Sequence, residues 1–119
     1  MGYSYVDLDA IEPSGPGGAV RFVRRALGVT AFGINQISLP PNATGHEHDE
    51  SQTGQEEVIV VLSGSGTLRA DGDAIELRPG RFVRLDPDTI RVPVAGPDGL
   101  TFVTIGSPRA EPYAPRGPF

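Results

Sequence analysis

The chain of 119 residues carries ten basic residues, all of them arginine, against fifteen acidic ones, for a formal net charge of −5, and it has no cysteine. This excludes a disulfide framework, a thiolate metal site, a thiol nucleophile and any lysine-based Schiff-base or P-loop chemistry. The acidic balance, with arginines scattered rather than gathered into a stripe, argues against a nucleic-acid partner.

No apolar run approaches the length of a membrane span, and Met1-Gly2-Tyr3-Ser4-Tyr5 lacks the basic and then apolar pattern of a signal peptide. A cytoplasmic protein with no membrane partner is expected. The length suits one domain, residues 1–119. With 16 glycines and 12 prolines, and no sustained helical periodicity, the composition reads as all-β.

In chain order, a short strand is expected around Tyr3 to Val6, after which Pro13-Ser14-Gly15-Pro16-Gly17-Gly18 interrupts regular structure. Residues 1–18 thus read as an arm and connector. Ala19 to Leu27 mixes apolar residues with three arginines and suits an exposed edge strand ended by Gly28. Thr30 to Leu39 is the next strand. Its apolar face changes between Ile34 and Ile37, which predicts a bulge near Asn35 and Gln36. Glu56 to Leu62 is the most apolar strand, with Glu57, Ile59 and Val61 on one face, so one glutamate must point inward while Glu56 stays on the surface. Ser63-Gly64-Ser65-Gly66 reads as a tight turn, Asp71-Gly72-Asp73 as a hairpin, and Arg78-Pro79-Gly80 and Gly96-Pro97-Asp98-Gly99 as further turns. Short strands at such regular spacing suit a sandwich or small barrel over residues 19–105. Residues 106–119, with four prolines, read as an extended tail.

The two histidines of the chain stand one residue apart, in Gly45-His46-Glu47-His48. On an extended strand, residues i and i+2 share a face, so two imidazoles lie side by side, as half of a metal site requires. The alternative is a pair of solvated loop histidines among Glu47, Asp49 and Glu50. Asp49 to Gln55 is polar throughout and reads as a loop, in which Gln52 and Gln55 could offer a further oxygen ligand.

His46, His48, Glu57 and Gly64 together resemble the first motif of the cupin superfamily, with Gly72, Pro79-Gly80 and the strand Phe82 to Leu85 similar to the second. The gap between His48 and Glu57 is longer than the usual pattern, and Pro40 replaces a glycine. The resemblance covers residues 30–105 and implies an all-β, cupin-type double-stranded β-helix or jelly-roll barrel. It also implies a divalent metal (Fe, Mn, Ni or Zn) on His46, His48 and Glu57, a small-molecule ligand and a homodimer.

The resemblance departs at one place: the position of the family's fourth ligand, a histidine, falls on Arg91, and arginine offers no lone pair to a metal. Three roles for Arg91 follow. It forks onto the carboxylate of an acidic substrate beside the metal; or it pairs with Glu57 or a neighbouring acid in a cavity without metal; or it points to solvent. Gln36, Phe32 and Phe82 are expected to line the cavity wall. The resemblance implies a small-molecule-binding cupin with a metal site, open to an enzymatic role on a small organic or acidic substrate; the alternative is a non-catalytic ligand-binding or sensor cupin that has lost its metal.

Overall fold

The computed structural model describes residues 2–118. Six antiparallel strands make up nearly all of the regular structure: β1 (Val20–Arg21), β2 (Gly33–Leu39), β3 (Gln55–Ala70), β4 (Asp73–Leu77), β5 (Phe82–Leu85) and β6 (Arg91–Pro108). One short helix, α1 (Val23–Leu27), and 3-10 turns at Leu8–Ala10 and Pro16–Gly18 complete it. No helix among the described residues is long and apolar enough to cross a membrane.

Strands β3 and β6 are the spine. They pair from Gln55↔Pro108 at one end to Ala70↔Arg91 at the other, with register shifts between Val61 and Ser63 and between Gly64 and Gly66. Those shifts bend both strands at mid-length, so that each contributes to two sheet halves. One half runs β1-β2-β6-β3-β5, and the other joins β3 to β4 and β6 to the segment 43–48 through the bridges Thr44↔Val94 and His48↔Arg91. Ile59, Val61, Leu85, Leu100 and Phe102 from the first half, with Leu68, Leu77 and Ala95 from the second, form one buried core. Each fully buried leucine or phenylalanine there contributes roughly 1.5–3 kcal/mol.

The Ser63–Gly66 stretch is therefore no turn. The strand continues through it because Gly64, at φ +82°, lies against the backbone of Gly99, where a Cβ would stand 2.1 Å from the carbonyl oxygen. The expected turn at Gly96–Gly99 is likewise the bend of β6. The Asp71-Gly72 hairpin forms as expected, with both residues at positive φ (50° and 86°) and Ala70 paired to Asp73.

Three other expectations fail. Val23–Leu27 is helical rather than an edge strand: Gly28 caps it in the left-handed conformation with its N–H on the Arg24 carbonyl, and Arg24 and Arg25 sit in the last turn, where the helix dipole favours cations. Tyr3 to Val6 is irregular, anchored by Ser4 Oγ on the Leu27 carbonyl at 2.6 Å. The register of β2 on β6 is unbroken from Gly33↔Gly106 to Leu39↔Leu100, so no bulge exists at Asn35 and Gln36. The apolar pattern shifts because Gln36 is buried on the outer face, with Nε2 donating to Ser38 Oγ at 2.7 Å, while Asn35, Ile37 and Leu39 face inward. At the C-terminal end, β6 extends to Pro108, inside the segment expected as tail, and residues 109–118 are irregular and exposed.

Candidate functional site

The segment carrying the histidines is held as an extra strand against the first half of β6. Gly45 N–H donates to the Pro93 carbonyl at 2.8 Å, and His48 and Arg91 exchange both backbone hydrogen bonds, at 3.0 and 2.9 Å. Gly45 is needed for this approach, because a Cβ there would lie 2.7 Å from Pro93 Cγ. The extended backbone puts His46 and His48 on one side, their rings stacked with centroids 5.4 Å apart and planes 19° off parallel. Glu50 follows in the same alternation. Its main chain is pinned, N–H to the Pro87 carbonyl at 2.7 Å and carbonyl to Gly54 N–H at 2.8 Å.

Across from them, β3 delivers Glu57 on the inward face with Ile59 and Val61, as the alternation predicts. Nitrogen or carboxylate oxygen atoms of His48, Glu50 and Glu57 all lie within 4.8 Å of one another. His46 stands beside this group rather than in it, exposed at the cavity wall. Glu50 is the residue that sequence reasoning missed. Its signal was the i, i+2, i+4 spacing of His46, His48 and Glu50, hidden because Asp49 to Gln55 was read as a loop.

The protonation pattern of His48 is constrained. Its Nδ1 lies 3.2 Å from the His46 carbonyl, an acceptor only, so Nδ1 carries the hydrogen there. That leaves Nε2 facing Glu50 Oε1 at 3.3 Å. A neutral imidazole nitrogen and a carboxylate oxygen both present lone pairs, so this contact needs a proton or a cation between them. With bonds of about 2.1 Å to each, a metal ion sets two neighbouring ligand atoms about 3.0–3.4 Å apart. Anchoring the second ring nitrogen on a carbonyl is also how metal-bound histidines are oriented. The donor set therefore fits a divalent cation.

Arg91 is 1% exposed and lies inside the barrel. Its Nη1 donates to the Thr89 carbonyl at 2.6 Å and its Nη2 to Glu57 Oε1 at 3.5 Å, while buried Nε has no partner among the described residues. Of the three roles open to Arg91, exposure to solvent is excluded. Burial pushes the Glu57 carboxyl above its ordinary range, and the Arg91 charge only partly opposes it.

A cavity of about 490 Å³ opens from these residues, its lining combining His46, His48, Glu50, Glu57 and Arg91 with the apolar side chains of Ile37, Leu39, Ile59, Leu68, Pro93 and Phe102. A second, of about 430 Å³, shares Asn35, Glu50, Glu57 and Thr104 with it and adds Arg24, Phe32 and Gln55. Phe32 lines the adjoining cavity rather than the one beside Arg91, Gln36 faces away, and Phe82, 70% exposed, lies on the outer surface of β5. Gln52 is exposed in its loop. Glu56 points outward into ion pairs with Arg84 (3.1 Å) and Arg109 (3.3 Å), both of which also pair with Asp86.

No family model and no curated protein matches the chain in sequence. Solved structures do match. A cupin protein from Bacteroides fragilis superposes with a TM-score of 0.79 at 24% identity, covering 98% of this chain and 92% of that one. A predicted oxalate decarboxylase from Thermotoga maritima gives 0.74 at 17% identity, over 87% and 98% of the two chains. A sugar phosphate isomerase of the cupin superfamily from Silicibacter pomeroyi gives 0.70 at 22% identity, over 87% and 75%. With the antiparallel two-half barrel and the inward-facing histidine and glutamates already described, these superpositions make the chain a cupin by fold.

Proposed function

We propose that this single-domain cupin binds a small organic molecule beside a divalent cation held by His48, Glu50 and Glu57, with His46 at the same wall as the other sequence-expected ligand. The observation that carries the reading is the 3.3 Å approach of His48 Nε2 to Glu50 Oε1 with Nδ1 already committed to a carbonyl. An all nitrogen and oxygen set of this kind suits Fe, Mn, Ni or Zn. When bound, the cation supplies Lewis acidity toward a ligand oxygen. The chain's own residues do the rest: His48 is oriented by the His46 carbonyl, Arg91 holds one oxygen of Glu57, and Ile59, Leu68 and Phe102 give the cavity an apolar wall. The Thermotoga and Silicibacter neighbours are named for an acid and a sugar phosphate, both small anions, which supports an anionic ligand here.

The 3.5 Å contact between Arg91 and Glu57 favours a second reading, a metal-free cavity in which the ion pair replaces the cation and the protein acts as a non-catalytic ligand sensor. Metal addition separates the two. Protein purified without an affinity tag and stripped with chelator is expected to melt at a higher temperature when Mn, Fe, Ni or Zn is added, by about 2.7 kcal/mol of added stability at a hundredfold excess over Kd. No shift with any of the four favours the sensor.

The assembly proposed is a cytoplasmic homodimer in which the N-terminal arm reaches a partner. Ser4 ties the arm to its own barrel, while Tyr3 and Tyr5 on either side of it are turned out to solvent. Exposed Leu62 and Phe82 on the outer sheet offer an apolar surface for a second copy. Light scattering at micromolar concentration is expected to give twice the chain mass, and a monomer mass contradicts it.

A further inference from the structure

We infer that Arg91 is the recognition point for a carboxylate, and that the ligand of this site is a small organic acid with an apolar body lying along Ile59, Leu68 and Phe102. The inference deepens the metal-site reading and rests on it. Three observations lead there. First, the guanidinium is an incompletely satisfied buried cation: one firm hydrogen bond to the Thr89 carbonyl, one long one to Glu57, and an Nε–H with no partner among the described residues. Buried donors without acceptors are costly and rare, and a planar fork with spare N–H groups matches the two oxygens of a carboxylate.

Second, the charge balance changes sign when a cation binds. Glu50 and Glu57 against Arg91 leave one formal negative charge, which repels an acid. A divalent cation turns this into one formal positive charge, which attracts a monoanion. A cation held by Glu57 with His48 and Glu50 would compete with Arg91 for that carboxylate, which is held only at 3.5 Å, and would leave Nη2 beside Nε to an incoming anion.

Third, much of the rest of the 490 Å³ cavity's lining is apolar, including Ile37, Leu39, Ile59, Leu68, Pro93 and Phe102, and among the described residues Arg91 is the one arginine in it. A carboxylate placed on Arg91 leaves its hydrocarbon part to those side chains. Pockets of about 300–1,000 Å³ with few, localised polar groups are the usual size for such ligands. The adjoining cavity meets this one at Asn35, Glu50, Glu57 and Thr104 and is lined there by polar groups that include Gln55 and Arg24.

The test uses hexanoate and its neutral counterpart 1-hexanol as probes, titrated calorimetrically into the full chain with and without saturating Mn²⁺. Hexanoate is expected to bind the Mn²⁺-loaded protein at least tenfold more tightly than the metal-free protein, and at least tenfold more tightly than hexanol does. Arg91→Gln is expected to lose the preference for hexanoate over hexanol while binding Mn²⁺ at least as tightly as the wild type. The wild-type comparison of acid and alcohol stands even if the variant does not fold. Equal affinities for hexanoate and hexanol, or an Arg91→Gln variant that keeps the tenfold preference, overturns the inference. Failure of Mn²⁺ to bind the wild type overturns the metal reading instead, and the acid-over-alcohol preference of the metal-free protein then decides the role of Arg91 alone.

Discussion

Glu57→Gln is expected to lower divalent-cation affinity at least about a hundredfold, or roughly 2.7 kcal/mol, while leaving the metal-free protein more stable than the wild type at neutral pH. The two effects have one cause. Glu57 is held inside the barrel, where burial raises its carboxyl pKa and the Arg91 charge compensates only in part. Because its folded pKa lies above its unfolded value, the folded state binds this proton more tightly than the unfolded state does. The contribution of Glu57 to stability without metal is therefore fully present below the ordinary carboxylate range and is lost as pH rises through the raised value. Glutamine mimics the protonated form: it keeps an oxygen for Arg91 Nη2 but offers no charge to a cation. Urea unfolding of chelator-treated wild type and variant across pH 4 to 8, with metal titrations at neutral pH, checks both arms. A variant less stable than wild type at neutral pH, or one that keeps cation affinity, contradicts the placement of Glu57.

Gly64→Ala is expected to cost about 4 kcal/mol or more and to lower Tm by roughly 15 °C, among the largest effects of any single substitution in the barrel. The added Cβ would stand 2.1 Å from the Gly99 carbonyl oxygen and 2.8 Å from its carbon, in backbone that cannot rotate away, and φ there is +82°. Gly72→Ala is the control. Its φ is +86° but nothing lies within 4 Å of the new methyl group, so only backbone strain of about 1–2 kcal/mol is expected. Equal losses in the two variants, by thermal unfolding, would show that the close passage of β3 over β6 does not fix the bend between the sheet halves.

Much of this was legible from residue order. Alternation along Glu57, Ile59 and Val61 gave the inward face of β3, and Asp71-Gly72 gave the hairpin, because both depend on local chemistry that any strand or two-residue turn imposes. The bends at Ser63–Gly66 and Gly96–Gly99 were misread as turns. Glycine marks both a chain reversal and a close crossing of two strands, and only the partner strand tells them apart. Val23–Leu27 departs from the expectation because Arg24 and Arg25 among apolar residues fit an edge strand as well as a single helical turn, and Gly28 ends either. Gln36 looked like a wall residue from its neighbours, but the unbroken register of β2 turns it outward. Arg91 could be placed near the site by family resemblance alone, yet its burial and its contact with Glu57 arise from long-range pairing of β6 with the histidine segment. Glu50 was missed for the same reason: the backbone bonds to Pro87 and Gly54 that fix it are invisible to a local pattern.

The central claim is that His48, Glu50 and Glu57 together hold a divalent cation. Anomalous scattering from crystals of the untagged protein grown with Mn²⁺, recorded where manganese scatters anomalously, tests it most directly. One peak within about 2.5 Å of His48 Nε2 and of a carboxylate oxygen from both Glu50 and Glu57 is the expected result. No peak there, with Arg91 still paired to Glu57 in saturating metal, contradicts it.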